Sequence, residues 1–294
     1  MMIGPQREAV IANIQEAVLA GSFHEKVEVN DPRLSSQEKR ALVARYWQRR
    51  DMSAYRLKNC AARALTEVIT WSQNLRTTIV GMDNLPPAGQ GAIITSNHFN
   101  PMDNTLIRYM LRQCGRGKLY IVSQESNLAM TGLVGFLMNY ADIIPISSNR
   151  AYMKKDFPQA LARVLQSQGY VLIYPEQEMW FNYRKPRPPK RGAYYYAASF
   201  GVPVISCFVE MQAQKAKITP QLHRVDYTLH VLPTIYPQSE LSIRENSLWM
   251  MEKDYAQKRT AYEAAYGQPL DYTFHDEDIA GWVPQAVLEM LAAQ

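Results

Sequence analysis

Between residues 77 and 208, short apolar runs alternate with helical stretches, and few folds can absorb that order. The runs are TTIV (77–80), AIITS (92–96), LYIVS (119–123), IIPI (143–146), YVLIY (170–174) and PVISCF (203–208). Helical spacing fits between them near 102–114, 125–138, 153–167 and 193–200. Alternation of this kind predicts an α/β fold with a largely parallel central sheet flanked by helices. A further strand at 227–235 and a helix from about 239 to 266 extend the pattern. The first 75 residues differ. Val10, Ile11, Ile14 and Val18 recur at helical spacing, Ser35 and Glu38 form a capping-box pattern, and Leu57, Ala61, Leu65 and Val68 mark a third helix. The chain therefore divides into an N-terminal helical region, 1–75, and an α/β domain, 76–294. With 294 residues, 47% of them hydrophobic, it has ample material for a core.

The charge balance is mildly basic, at +5, which fits anionic lipid, a phosphorylated substrate or nucleic acid. No recognition-helix or aromatic strand motif supports the last, so no nucleic-acid partner is expected. Cys60, Cys114 and Cys207 are scattered. They suggest neither a disulfide framework nor a metal site. The longest apolar run, Met130 to Ile146, is broken by Asn139 and Asp142. It falls short of the about 20 apolar residues a membrane span needs. The N-terminal stretch MMIGPQREAV lacks the apolar core of a signal peptide. A cytoplasmic location is the resulting expectation.

One segment carries chemistry. AIITSNHFNPMDNTLIRYML runs from a strand through a short loop into a helix, and His98 falls just past the strand end. Active sites of α/β sheets collect at such ends. Asn100 suits an N-cap and Pro101 the first helical position, which makes Asp103 the third residue of the helix. Its carboxylate can then fold back toward His98. A carboxylate on one ring nitrogen fixes the tautomer and leaves the other nitrogen a better base. Taken singly, Asp103 is also a plain helix-start acid and His98 a plain loop histidine.

The surrounding blocks resemble the glycerolipid acyltransferases, a group that includes the 1-acylglycerol-3-phosphate acyltransferases. Asn97-His98 with Asp103 looks like the family's first motif, and Ile144-Pro145-Ile146 like the approach to the second. Tyr174-Pro175-Glu176 resembles the Phe-Pro-Glu of the third. Lys190-Arg191-Gly192-Ala193 and Val202-Pro203-Val204-Ile205 resemble the segments that follow. The resemblance implies acyl transfer from acyl-CoA or acyl-carrier protein, as co-substrate and without a further cofactor, to a hydroxyl of a lysolipid acceptor. That acceptor would be 1-acylglycerol-3-phosphate or a related lysophospholipid. It implies His98 as general base, Asp103 as its orienting acid, and Asn97 and Glu176 on the substrate side, with 76–294 an acyltransferase domain.

Two departures bear on the acceptor. The family's third motif continues Glu-Gly-Thr-Arg, whereas here Gln177, Glu178, Met179 and Trp180 follow; an arginine of the second motif is matched by Ser148, with Arg150 the nearest cation. A bidentate arginine grip on phosphate is not replaced by Ser or Met. Arg184, Lys185, Arg187, Lys190 and Arg191 offer another grip, or a solvated basic face. Trp180, Phe181 and Tyr183 offer aromatic surface for a sugar or an acyl chain. Alternatives are an acyl-thioester hydrolase, against which the lack of a Gly-x-Ser-x-Gly elbow counts, and a non-catalytic lipid-binding protein with a decayed site. A lipid substrate calls for peripheral membrane contact at the cytoplasmic face, with the N-terminal helices as candidates. An apolar helical stripe ordinarily faces a core, so Leu57, Leu65 and Val68 are expected to pack inward, as is the run Met130–Met138.

Overall fold

The structure is a computed structural model that describes residues 6–29, 32 and 34–284. The first residues of the N-terminal stretch read above, 1–5, and the end of the expected 76–294 domain, 285–294, lie outside the described residues.

Three helices lead: α1 (Arg7–Leu19), α2 (Ser36–Arg50) and α3 (Ser53–Gln73). The capping box at the start of α2 forms: Glu38 N donates to Ser35 Oγ at 3.3 Å and Ser35 N donates to Glu38 Oε2 at 2.7 Å. The strands and helices of the sheet region follow: β1 (Thr78–Val80), β2 (Ala92–Thr95), α4 (Asn104–Gln113), β3 (Leu119–Gln124), α5 (Gly132–Tyr140) and β4 (Ile143–Ile146). After them come α6 (Arg150–Lys154), α7 (Asp156–Gln166), β5 (Tyr170–Leu172), α8 (Gly192–Phe200), β6 (Val204–Thr219), β7 (Leu222–Val231) and α9 (Ile243–Tyr266).

The seven strands form one sheet in the order β1-β7-β6-β2-β5-β3-β4. The pairs β6/β2, β2/β5, β5/β3 and β3/β4 are parallel, and β7 returns antiparallel along β6. Alternate residues serve opposite faces. Ile94 faces a core built with Leu106, Ile107 and Met110 of α4; its neighbour Ile93 faces one built with Leu161, Val164 and Tyr194 of α7 and α8. The mixed α/β architecture with a mostly parallel sheet is the one the alternation predicts.

The differences are local and have physical causes. Strand β6 continues to Thr219, and β7 starts at Leu222 rather than near 227, because the hairpin beyond Met211 is solvent-facing and carries no apolar run. The helix expected at 125–138 is a 3-10 turn, Glu125–Ala129, followed by α5. Gly135 explains the tight join: a Cβ there would sit 1.9 Å from Met130 O. The helix expected at 153–167 is split into α6 and α7 at Lys155.

The inward packing expected for Leu57 and Val68 is corrected. Leu57 is 75% exposed and Val68 63% exposed, while α3 buries Tyr55, Ala62, Thr66 and Thr70. Helix α3 meets α4 and α5 through this mostly small, polar face, as in the hydrogen bond from Asn74 Nδ2 to Thr105 Oγ1 at 3.1 Å. Leu133 of α5 is likewise exposed rather than core.

Candidate active site

Strand β2 delivers the chain to the C-terminal edge of the parallel strands. Just past its end, the buried Asn97 side chain spans to Val209 of β6, accepting from Val209 N at 2.8 Å and donating to Val209 O at 3.1 Å. Its amide thereby extends the sheet pairing beyond the last strand residue and pins the start of the next loop.

His98 opens that loop. Asp103 Oδ2 lies 2.7 Å from His98 Nδ1 and accepts from Phe99 N at 3.0 Å and Asn100 N at 3.3 Å. Its other oxygen accepts from Tyr174 OH at 2.5 Å. A carboxylate that collects so many donors acts as an acceptor, so Nδ1 of His98 carries the proton and Nε2 keeps its lone pair. The Tyr174 ring stacks on the imidazole, with centroids 3.9 Å apart and planes 12° from parallel. Burial, and then the Asp103 charge, push the Tyr174 phenol well above its ordinary value, so it remains a neutral donor. The helix start differs from the sequence reading. Asn100 Oδ1 accepts from Met102 N at 3.0 Å and caps a turn, and α4 begins only at Asn104, with Asp103 at the N-cap position rather than third in the helix. The carboxylate still points back, because the turn at 100–103 does what a first helical turn would have done.

Glu176 sits behind the same loop, buried. Its Oε2 accepts from His98 N at 3.3 Å and from Arg187 Nε at 3.1 Å, and its Oε1 accepts from Arg187 N at 3.0 Å. Arg187 also donates to Phe23 O at 2.9 Å and to Glu178 O, and lies 4.4 Å over the Trp180 ring. Burial lowers its pKa against the pull of Glu176. Backbone bonds complete the brace: Trp180 N donates to His98 O at 3.0 Å and Asn182 N to Phe99 O at 2.9 Å.

Two readings of the third-motif segment are corrected here. Trp180, Phe181 and Tyr183 are buried in a cluster with Val10, Ile14 and Val18 of α1, so they present no aromatic surface to a ligand. Lys185 and Arg187 are buried too, not part of a solvated basic face. Lys185 Nζ pairs with Asp278 Oδ2 at 2.8 Å and donates to Thr273 O at 2.6 Å. Of the other cations, Arg150 is exposed on the first turn of α6, and Lys190 and Arg191 are exposed just before α8. Lys190 N donates to Pro175 O at 2.8 Å, which holds that loop against Tyr174 and Glu176. Arg184 is half-buried with its guanidinium 5.4 Å over the Tyr266 ring. Ser148, where an arginine was sought, donates through N and Oγ to Glu125 Oε1 at 3.1 and 3.0 Å.

Sequence reasoning left Tyr174 out of the His98–Asp103 pair. A signal was present: Tyr174 and Glu176 are two residues apart at a strand end, and both turn toward the same loop. Arg187 had no local signal. Among the described residues, no group of three or more His, Cys, Asp or Glu side chains is arranged to hold a metal ion.

A histidine with a carboxylate on Nδ1 and an open Nε2, at the C-terminal edge of a parallel sheet, is the arrangement of a general-base site in an α/β protein. Residues 76–210 match the family model described as Acyltransferase. That segment carries every block quoted from the sequence. Among solved structures, the chain is similar to the 1-acyl-sn-glycerophosphate (LPA) acyltransferase PlsC from Thermotoga maritima. The two share 13% identity over 90% of this chain and 99% of that one, with a TM-score of 0.49. No curated protein matches the sequence.

Proposed function

We propose that this chain transfers a fatty acyl group from a thioester donor, acyl-CoA or acyl-carrier protein, to a hydroxyl of a lysolipid. The acceptor is 1-acylglycerol-3-phosphate or a related lysophospholipid, and the product enters phospholipid or glycerolipid biosynthesis. The observation that carries this is the His98–Asp103 pair, with Nε2 unengaged among the described residues, in the segment that matches the Acyltransferase family model. Nε2 takes the acceptor's hydroxyl proton as the oxygen attacks the thioester carbonyl. When the C–S bond breaks, the imidazolium returns that proton to the leaving thiolate. Asp103 stabilises the imidazolium between the two steps. No covalent acyl-enzyme is needed, because a thioester is already activated. Arg150, Lys190 and Arg191 are the exposed cations available to an acceptor phosphate. Asn97 and Glu176 serve as supports of the loop, since their polar groups are engaged by Val209, Arg187 and the His98 backbone.

The same reading puts the enzyme at a bilayer surface, on its cytoplasmic face. Among the described residues, no helix is long and apolar enough to cross a membrane. Helix α3 instead carries Leu57, Ala61, Ala64, Val68 and Trp71 along one exposed line that continues to Leu75, with Arg56, Lys58 and Arg76 at its ends. An apolar stripe flanked by cations complements an anionic lipid interface.

The test is an assay of purified protein with labelled long-chain acyl-CoA or acyl-carrier protein, with and without a panel of lysophospholipids. Acylated lysolipid should form, and His98→Ala should lower the rate by about 10²- to 10⁴-fold. Equal product from wild type and His98→Ala would overturn the assignment, and release of free fatty acid without acceptor would mark a hydrolase instead.

A further inference from the structure

At the opposite, N-terminal edge of the parallel strands lies a cleft of about 420 Å³, between α3, the C-terminal half of α4 and the starts of β3 and β4. Five basic side chains line it: Arg63, Arg108, Arg112, Arg116 and Lys118. Only two carboxylates, Glu67 and Asp142, stand against them. Their pairings are unequal. Arg63 is committed to Asp142 through two bonds of 2.6 and 2.7 Å, and Arg116 donates to Pro86 O at 2.7 Å. Arg112 meets Glu67 at 3.2 Å in a pair that is half-exposed on both sides and so holds it weakly.

Arg108 is the informative member. Its two hydrogen bonds are both 3.4 Å and both end on neutral oxygens, Asn104 Oδ1 and Ala141 O. Burial is the leading influence on it and lowers its pKa, with the Asp142 and Glu67 charges acting against that. Half-buried and in direct ion contact with neither carboxylate, its guanidinium is only partly balanced and has donors to offer an anion. Among the described residues Lys118, exposed at the mouth, enters no ion pair. Gly115 and Gly117 keep side chains off the rim; Gly115 has a φ of +63°, and nothing lies within 4 Å of where its Cβ would be. The cleft thus offers Arg108, Arg112 and Lys118 as incompletely balanced cations around a space large enough for a phosphorylated headgroup.

We propose that this cleft is a binding site for a phosphate monoester, distinct from the His98 site. Arginine forks suit phosphate oxygens, and a dianion balances the excess of cations. The two sources of such a group are an anionic lipid headgroup and free phosphate. Arg63 and Glu67 lie on the flank of α3, beside the exposed line of Leu57, Ala64 and Val68. If α3 rests on a bilayer, a use that depends on the reading above, the cleft opens at headgroup depth.

The experiment uses the full chain, wild type and two variants, Arg108→Gln/Lys118→Gln and the surface-only Arg112→Gln/Lys118→Gln. A charge-matched control is Lys154→Gln/Lys155→Gln. One arm measures binding to phosphatidylcholine vesicles with and without phosphatidic acid; the other measures the rise in melting temperature caused by inorganic phosphate over chloride at equal ionic strength. The cleft variants should bind phosphatidic-acid vesicles about tenfold or more weakly, or lose the phosphate-induced rise, while the control keeps both. Loss in the vesicle arm alone identifies a lipid headgroup, and loss in the phosphate arm alone a free anion. Wild-type behaviour of the cleft variants in both arms, or equal loss in the control, overturns the site. Acyl transfer in detergent is read in parallel. Its absence would count against the acyltransferase reading without touching the anion site.

Discussion

At the scale of single residues, the site turns on how many donors share one carboxylate. Asp103 accepts from His98, Phe99, Asn100 and Tyr174, so its charge is spread over four bonds rather than focused on the imidazole. Tyr174→Phe keeps a ring to stack on His98 and removes one donor. A hydrogen bond to a charged group is worth about 1.5–3 kcal/mol, and urea unfolding of the variant should show a loss of about that size. Activity should move differently. With one donor fewer, Asp103 holds the imidazole through a less firmly anchored carboxylate, so kcat should fall with little change in KM. The phenol itself stays neutral through neutral pH, since burial and the Asp103 charge raise it well above its ordinary value, so no alkaline limb in that range should vanish with it. An unchanged kcat would reduce Tyr174 to a packing residue. The sequence made His98 and Asp103 legible because their spacing is short and local. It also held Tyr174 at an alternating strand-end position next to Glu176, a weaker sign of the same kind.

At the scale of elements, the segment from Tyr174 to Arg187 shows why local reading stops where it does. Read from the sequence, Gln177 and Met179 mark missing phosphate ligands, and the basic run another phosphate grip or a solvated face. In the fold, the segment is a brace whose partners are distant in the chain: Trp180 packs with α1 and donates to Glu25 O at 3.0 Å, and Lys185 pairs with Asp278. No spacing rule signals contacts across so many residues, and an apolar aromatic run reads alike as core or as ligand surface. Gln177 sits at φ +70°, a left-handed conformation that suits the glycine of the family pattern. The consequence is testable at Arg187. Arg187→Met leaves Glu176 as a buried, unpaired carboxylate beside the His98 loop, which costs about 3–5 kcal/mol. Adding Glu176→Gln removes the stranded charge, and the double variant should recover a good part of that loss in chemical denaturation. If the single variant unfolds like wild type, the brace does not hold the loop.

At the scale of the whole molecule, the question is which way α3 faces. The sheet and its two cores follow from the order of apolar runs, because each run must be buried between helices. The helical stripe on α3 was equally visible, but its direction was not, since the residues it packs against lie in α4 and α5. The buried face is made instead of short or polar groups: Ala62, Thr66 with its hydroxyl donated to Ala62 O at 2.7 Å, and Thr70. Such groups let helices approach closely and leave Leu57, Val68 and Trp71, at 75%, 63% and 56% exposure, turned outward. If they were core residues, replacing all three with Ser would unfold the chain. Because they face out, Leu57→Ser/Val68→Ser/Trp71→Ser should cost no more than about 0.5 kcal/mol per site in urea unfolding. Each buried apolar side chain of this size contributes about 1.5–3 kcal/mol when fully removed from water. Even partial insertion of three should give more than about a tenfold drop in vesicle binding when they are lost. Transfer to detergent-dispersed lysolipid should persist, since these exposed side chains take no part in the hydrogen bonds that hold the His98 loop. A variant that keeps its vesicle affinity would detach α3 from the membrane, and one that loses detergent activity as well would tie the stripe to the site rather than to the bilayer.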